Sequence, residues 1–311
     1  MPRNALKVRI ITNAVSEGAR ALGETLESLG VDVSRVRASA GPKTPPRLNI
    51  KWGCFTANPR EYGGSLSNFQ AGDTSLNKLT CFQTLRAAGV TVPDFTTSIQ
   101  EARQWFESGA RRVYERHVLR GSEGDGIEVR EDPTSLTAAP LYVKGCFGER
   151  REYRIHVFQQ DGVKRLFIQQ KKRRVTGVDE AELENRPTGT IRNLANGWIF
   201  AHNEITAPRQ QTIDLAVATL RALGLNFGGI DLIEMGDSRK GSYVLEVNCA
   251  PGLQGGTLNF YATAVKAVLE GVTDHAPTAT TNHNSGIDPD DTEHDELEGD
   301  NEDGDYDDDD Y

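Results

Sequence analysis

The chain has 311 residues, long enough to bury a large core and to form about two domains. Its apolar content of 37% and charged content of 26% are those of ordinary globular protein, and it contains no apolar run long enough to span a bilayer. The net charge of −10 is unevenly spread: residues 285–311 carry 15 acidic side chains and no Lys or Arg, and setting those 15 aside leaves +5 on residues 1–284.

The first 37 residues predict strand, helix, strand. Leu6–Thr12 alternates apolar and polar, with no secretory leader pattern ahead of it. Glu17–Leu29 has helical periodicity, with Ser16 as N-cap and Gly30 as its stop. Val31–Val36 alternates again, a Pro-rich break follows, and Asn49–Phe55 reads as a further strand. The pattern is that of a small open α/β domain. Cys54, Cys81, Cys146 and Cys249 lie far apart without metal-ligand spacing. Inert thiols in a reducing cytosol are expected, and hence a cytoplasmic location.

Thr74–Ala88 predicts a helix stopped by Gly89, and Ile99–Ser108 a second. Arg112–Arg120 and Gly126–Arg130 are strand-like and joined by the glycine loop Gly121-Ser122-Glu123-Gly124-Asp125-Gly126. That loop is a hairpin tip without a following helix. It reads equally as a plain turn or as a flap that brings backbone N–H groups onto phosphates. Leu141–Lys144 is short and apolar. Arg154–Gln159 and Leu166–Gln170 predict strands turned at Asp161-Gly162. Ile213–Leu223 predicts a helix, Asn226–Glu234 and Ser242–Asn248 two strands, and Leu258–Leu269 a last helix. From about Asp274 the chain is nearly devoid of apolar residues and is expected to be disordered.

Chemistry concentrates in Tyr243-Val-Leu-Glu246-Val-Asn248-Cys-Ala-Pro-Gly252. Residues two apart on a strand share a face, so Glu246 and Asn248 project together while Leu245 and Val247 turn away. Asp231, in the preceding apolar run, adds a second carboxylate. Two carboxylates and an amide oxygen make a hard, incomplete shell of the kind Mg²⁺ takes, with waters and nucleotide phosphates completing it. The competing reading is a plain strand end followed by a turn. In Glu152-Tyr-Arg154-Ile-His156-Val157 the same alternation puts Glu152, Arg154 and His156 on one face. An isolated Arg in such a run needs an anionic partner, whereas His156 reads as a structural histidine. Lys172, Arg173 and Arg174 read equally as a binding group or a solvated face.

In order along the chain, Asn77-Lys78, Arg116, Gly121–Gly126, Leu141–Lys144, Glu152-Tyr153-Arg154, Gln170-Lys171-Lys172, Arg192-Asn193, Asp231 and Glu246-Val-Asn248 resemble the ATP-grasp superfamily. The likeness is to its carboxylate–amine ligases of the ribosomal-protein glutamate ligase (RimK-like) type, and it covers about residues 70–270. The resemblance implies an ATP-grasp fold of α+β class, in which two α+β subdomains at 71–136 and 137–273 clasp ATP. A small α/β domain at 1–70 precedes them, and an acidic tail at 274–311 follows.

The resemblance further implies Lys78, Arg116, Gly121, Ser122, Gly124, Gly126 and Lys172 at the nucleotide's phosphates, and Tyr142 and Val143 near its adenine. It implies Asp231, Glu246 and Asn248 on Mg²⁺, with Mn²⁺ as the other candidate metal. Arg154, Arg192 and Asn193 would face the transferred phosphoryl group. Arg116 departs from the family, which usually has Lys there; its forked guanidinium is bulkier. The implied activity is ADP-forming ligation through an acyl phosphate, joining an amino-acid, peptide or protein carboxylate to an amine. A phosphorylating or merely nucleotide-binding ATP-grasp protein is one alternative. A polyanion- or peptide-binding factor governed by the tail is another. The basic body could take an acidic peptide, a nucleic acid or its own tail; no membrane partner is implied.

Overall fold

The computed structural model describes residues 7–13, 15–38, 48–53, 77–120, 125–173, 192, 197–272, 274 and 278–279. Gly121, Ser122, Gly124, Asn193, Cys54 and the acidic tail beyond residue 280 lie outside them.

The chain opens with β1 (Lys7–Thr12), α1 (Glu17–Ser28), β2 (Asp32–Arg37) and β3 (Leu48–Lys51). The strands form a parallel sheet in the order β2-β1-β3. Ser16 caps α1 by accepting from the Ala19 N–H at 3.2 Å, and Leu22 and Leu26 of the helix bury against Val8, Ile10, Leu48 and Ile50.

A second unit follows: α2 (Lys78–Ala87), β4 (Phe95–Thr96), α3 (Ile99–Glu107), β5 (Val113–Arg116), β6 (Ile127–Arg130) and β7 (Leu141–Lys144). Its strands make an antiparallel sheet in the order β4-β7-β5-β6. Asn77 accepts from the Thr80 N–H at 3.0 Å and so starts α2 at Lys78 rather than Thr74. Because β7 pairs with β4 and β5, this sheet runs on to Lys144, past the division expected at residue 136.

The third sheet holds β8 (Arg150–Gln160), β9 (Val163–Arg173) and β10 (Trp198–Ala201), then, after α4 (Gln210–Ala222), β11 (Phe227–Met235) and β12 (Ser242–Asn248). The order is β10-β9-β8-β11-β12, antiparallel throughout. Next comes α5 (Gly255–Glu270), followed by β13 (Thr278–Ala279), which adds to β9 in parallel. The Gln254–Thr257 capping box starts α5 three residues before Leu258. No helix among the described residues is long and apolar enough to cross a membrane.

Two packings set the site. On one face of the large sheet, Ala216 and Leu220 of α4 and Cys81 and Leu85 of α2 bury Tyr153, Ile155, Ile230, Leu232 and Val247. Fully burying each such aliphatic side chain contributes about 1.5–3 kcal/mol. Leu79 and Phe82 of α2 also pack on Phe95, Leu141 and Val143, so this helix joins the small sheet to the large one. On the opposite face, α5 and Trp52 cover Phe158, Phe167 and Phe227, with Trp52 stacked on Phe227 at 5.2 Å between ring centroids. The remainder of that face carries the charged groups.

Candidate active site

Antiparallel pairing gathers the charges. Asp231 on β11 lies opposite Arg154 of β8 on one side and opposite Glu246 of β12 on the other. Asn248 and His156 flank Gly229 in the same way. Period-two alternation therefore puts Glu152, Arg154, His156, Asp231, Glu246 and Asn248 on one face. A β-bulge after Asp231 leaves Leu245 as the extra residue of β12, beside the carboxylate pair. Gly229 is required by close approach: a Cβ there would lie 3.2 Å from Pro251 Cβ and 3.4 Å from Arg154 Cδ and His156 Cε1.

Each carboxylate is countered by a cation. Arg154 donates from Nε to Asp231 Oδ1 at 2.8 Å and from Nη2 to Oδ2 at 3.1 Å, a bidentate pair. Its side chain is 7% exposed, and its guanidinium lies 4.0 Å from the centre of the Phe200 ring. Lys78, from the first turn of α2, reaches Glu246 Oε1 at 3.2 Å. Arg116 stands at the end of β5, with Nε and Nη1 screened from solvent and without a hydrogen-bond partner. Burial lowers the pKa of its guanidinium, and the Glu246 charge partly offsets this.

Beyond Arg154 the face continues. Lys171 lies 4.6 Å from the Phe200 ring centre and donates to the Arg192 carbonyl at 2.6 Å. Glu152 Oε1 is held by Arg192 at 3.1 Å and Arg150 at 3.3 Å, and Arg192 stacks on Trp198 at 4.5 Å.

Of the residues expected at the site, Lys78, Arg116, Arg154, Arg192, Asp231, Glu246 and Asn248 lie along this face or converge on it. Two do not. Lys172 is on the opposite face, its Nζ donating to the Glu204 carbonyl, because strand alternation turns Lys171 to the charged side instead. The Tyr142 side chain is buried under α3, its hydroxyl donating to the Thr137 carbonyl at 2.5 Å and accepting from the Ala139 N–H at 2.9 Å. Val143 likewise packs into the core beneath α2. At these two positions only the backbone is available to a ligand. Gly126 closes the described end of the glycine loop. It has φ +64°, its carbonyl accepts from the His117 N–H at 2.8 Å, and a Cβ would lie within 3 Å of Val118. Lys171, Phe200 and Trp198 were not anticipated as site residues.

Among the described residues the face offers no activated nucleophile. Burial, reinforced by Glu246, pushes the Cys81 thiol up to about 12, and burial pushes Cys146 to about 11. His156 is fully buried between Tyr261 Oη at 3.0 Å and Gln169 Oε1 at 2.8 Å. Desolvation, with Arg154 adding to it, lowers its pKa to about 4, so it is a neutral structural group. The arrangement is suited to positioning and neutralising anions. The Asp231, Glu246 and Asn248 set is all hard oxygen, sits on adjacent strands, and already draws two cations to its carboxylates. It fits a divalent ion such as Mg²⁺.

No family model matches the chain. Among curated proteins it is 26% identical over 241 residues to a probable alpha-L-glutamate ligase of Pseudoalteromonas translucida, covering 75% of this chain and 72% of that protein. It is 47% identical over 206 residues to a probable alpha-L-glutamate ligase of Xanthomonas euvesicatoria, covering 65% and 63%. Among solved structures it superposes on the ATP-grasp ligase PsnB, in complex with precursor peptide PsnA2 and AMPPNP, with a TM-score of 0.58. That alignment has 14% identity over 86% of this chain and 99% of PsnB. The chain thus has the fold of the ATP-grasp ligase PsnB, and over most of its length its sequence is similar to proteins named probable alpha-L-glutamate ligases.

Proposed function

We propose that this face is the catalytic centre of an ATP-dependent ligase that joins the carboxylate of an amino acid, peptide or protein to an amine, with glutamate as one of the joined groups. The observation that carries the reading is Asp231 seated between Arg154 and Glu246, with Lys78 on Glu246. It puts paired carboxylates, an amide oxygen and two cations on one rigid face. The relatives' names motivate glutamate, and the peptide held by PsnB motivates a peptide or protein partner.

In this reading Asp231, Glu246 and Asn248 hold Mg²⁺ or Mn²⁺, which supplies charge neutralisation for the nucleotide's phosphates when bound. Lys78 and Arg116 offset phosphate charge, and the unmade hydrogen bonds of the Arg116 fork are directed to phosphate oxygens. The 121–126 loop, with Gly121, Ser122, Gly124 and Gly126, covers them. The backbone at Tyr142–Val143 borders the adenine. An acyl-donor carboxylate oxygen attacks the γ-phosphorus and ADP leaves. An amine nitrogen then attacks the acyl carbon, phosphate leaves, and the amine loses a proton. Arg154, Arg192 and Asn193 steady charge that builds on the transferred group. Lys171 replaces Lys172 in the cationic set.

The test is an ADP-release screen over amino acids and acidic peptides, with mass spectrometry of the products. ADP release that requires both partners, and a product whose mass is the sum of the two partners less one water, is expected. Phosphorylated product without an amine requirement would make the chain a kinase. ATP binding without turnover across the screen would make it a binding module.

A further inference from the structure

Beyond α5 the chain is fastened to the start of β9. The Asp274 N–H donates to the Gly162 carbonyl at 3.0 Å. Its carboxylate accepts from the Lys164 N–H at 3.0 Å and pairs with Arg165 at 3.5 Å. Thr278 and Ala279 then pair in parallel with Arg165 and Leu166. The last acidic residue of the described chain is thus clasped by β9, and the backbone beyond it runs in that strand's direction. β9 carries Lys164, Arg165, Lys171, Lys172 and Arg173 and no carboxylate. The segment that follows, residues 285–311, has 15 acidic side chains and no Lys or Arg, against +5 on residues 1–284.

Reach and direction follow from the pairing. From Leu166 to Lys171 β9 rises about 17 Å, at ~3.3 Å per residue. The first acid of the segment, Asp288, is nine residues past Ala279, and nine extended residues span at most about 30 Å. β10 already pairs with Gln170–Arg173, so a chain continuing beside β9 has to turn onto one face of the sheet before Lys171. One face is taken. Tyr153 Oη donates to the Thr206 carbonyl, Gln170 Oε1 accepts from the Thr206 N–H, and Lys172 Nζ donates to the Glu204 carbonyl, so Glu204 to Thr206 lie across it. The other face presents Lys171 over the Phe200 ring, next to Arg192 and the candidate active site.

We infer that residues 285–311 dock in cis on the charged face beside Lys171, where they cover the approach to the candidate active site and compete with ADP. This rests on the proposed function only for naming the nucleotide. Attachment through β13 holds the segment at an effective concentration of order mM, so surface ion pairs that are weak singly act together. No vacant cation is needed. Lys171 keeps its bond to the Arg192 carbonyl, and the attraction is that of a polyanion for a net positive body, which salt screens.

The test is zero-length carbodiimide crosslinking of carboxylates to lysines in the full chain, read by mass spectrometry on mixed light and heavy-isotope protein at low and high salt. The exposed Lys7–Asp32 pair, at 3.3 Å, is the internal standard. Links within one chain from 285–311 to Lys171 are expected at low salt, falling at least ~3-fold as the Debye length shrinks. Asp274→Ala loosens the anchor, keeps all 15 acids of the segment, and should lower those links at least ~3-fold. Asp→Asn and Glu→Gln at the 15 positions of the full-length chain should abolish the links. That variant should also bind ADP at least ~3-fold more tightly at low salt in isothermal titration, with the difference lost at high salt. Several results overturn the docking: no links from the segment while Lys7–Asp32 links form, links spread evenly to remote lysines such as Lys7 and Lys266, links to Lys172 without Lys171, or links only between light and heavy copies. Unchanged ADP affinity in the neutralised variant overturns the competition. ADP binding by neither protein, with the Lys171 links intact, refutes the nucleotide reading and leaves the docking standing.

Discussion

Arg154 grips Asp231 through two parallel hydrogen bonds of 2.8 and 3.1 Å, from a strand directly opposite, with the Phe200 ring beneath its guanidinium. Both groups are held at the middle of the large sheet, where neither can swing far. Only a planar fork makes both bonds while lying flat on the ring. Arg154→Lys is therefore expected to fold and yet lose at least ~10-fold in turnover, because an ammonium makes one of the two bonds and loses the stacked geometry. Steady-state ADP release measures it; parental kinetics would reduce Arg154 to a structural ion pair.

Glu246 differs in consequence. Its side chain is 31% exposed on β12, and Lys78 holds only one of its oxygens at 3.2 Å. Glu246→Ala should leave the thermal midpoint close to the parent and remove at least ~100-fold of turnover, since the bound metal contributes several kcal/mol of charge stabilisation. Full turnover by that folded variant would remove Asp231, Glu246 and Asn248 as the metal set.

How much of this was legible in the sequence depends on which rule governs each residue. Asp231, Glu246 and Asn248 follow from alternation within single strands, and the sheet keeps that alternation. Lys171 rather than Lys172 shares the charged face, and that alternation can be read in the chain itself. Asp161-Gly162 adopts φ of 45° and 88°, a two-residue turn with both residues left-handed. Such a turn fixes the register of β8 and β9, and counting outward equally from it pairs Arg154 with Gln169. Lys171, two residues on, then shares the face of Arg154. Trp198 and Phe200 carried no such signal. Their place on the charged face comes from the pairing of β10 with β9 across a long intervening segment, which no local periodicity encodes. The orientation of the Tyr142 side chain is hidden for a related reason: it answers to the packing of α3, visible only once the small sheet is assembled, and leaves the backbone for the proposed adenine contact.

Gly229 tests whether the site is held by close packing. A methyl group there would meet Pro251, Arg154 and His156 at 3.2–3.4 Å. Gly229→Ala is expected to destabilise the fold by about 1–3 kcal/mol, the usual cost of overpacking. Because Arg154 is the most movable of the three neighbours, turnover should fall by ~10-fold or more even well below the melting temperature. Chemical denaturation and single-turnover rates separate the two effects. A loss of stability with unchanged turnover would show that the Arg154–Asp231 geometry is not set by this contact.

His156 gives the chain a distinctive acid sensitivity. Its ring is fully buried, and desolvation lowers its pKa from 6.5 to about 4, with the nearby Arg154 charge acting in the same sense. The unfolded chain therefore binds a proton that the folded chain refuses wherever pH lies between those values, and stability falls as pH drops from about 6.5 towards 4. Between pH 7 and pH 5 the loss is about 2 kcal/mol from this group alone. Glu115, whose pKa is held below the usual carboxylate range by Thr137 and Arg130 despite its burial, contributes its own loss only at lower pH, below the ordinary carboxylate value of 4.5. The window above pH 5 thus isolates the histidine. His156→Gln cannot take up that proton. The variant should be less stable than the parent at pH 7, where the paired ring is intact, but should lose much less stability on going to pH 5. Urea denaturation at the two pH values reads both slopes. Parallel losses in parent and variant would assign the acid sensitivity to other groups.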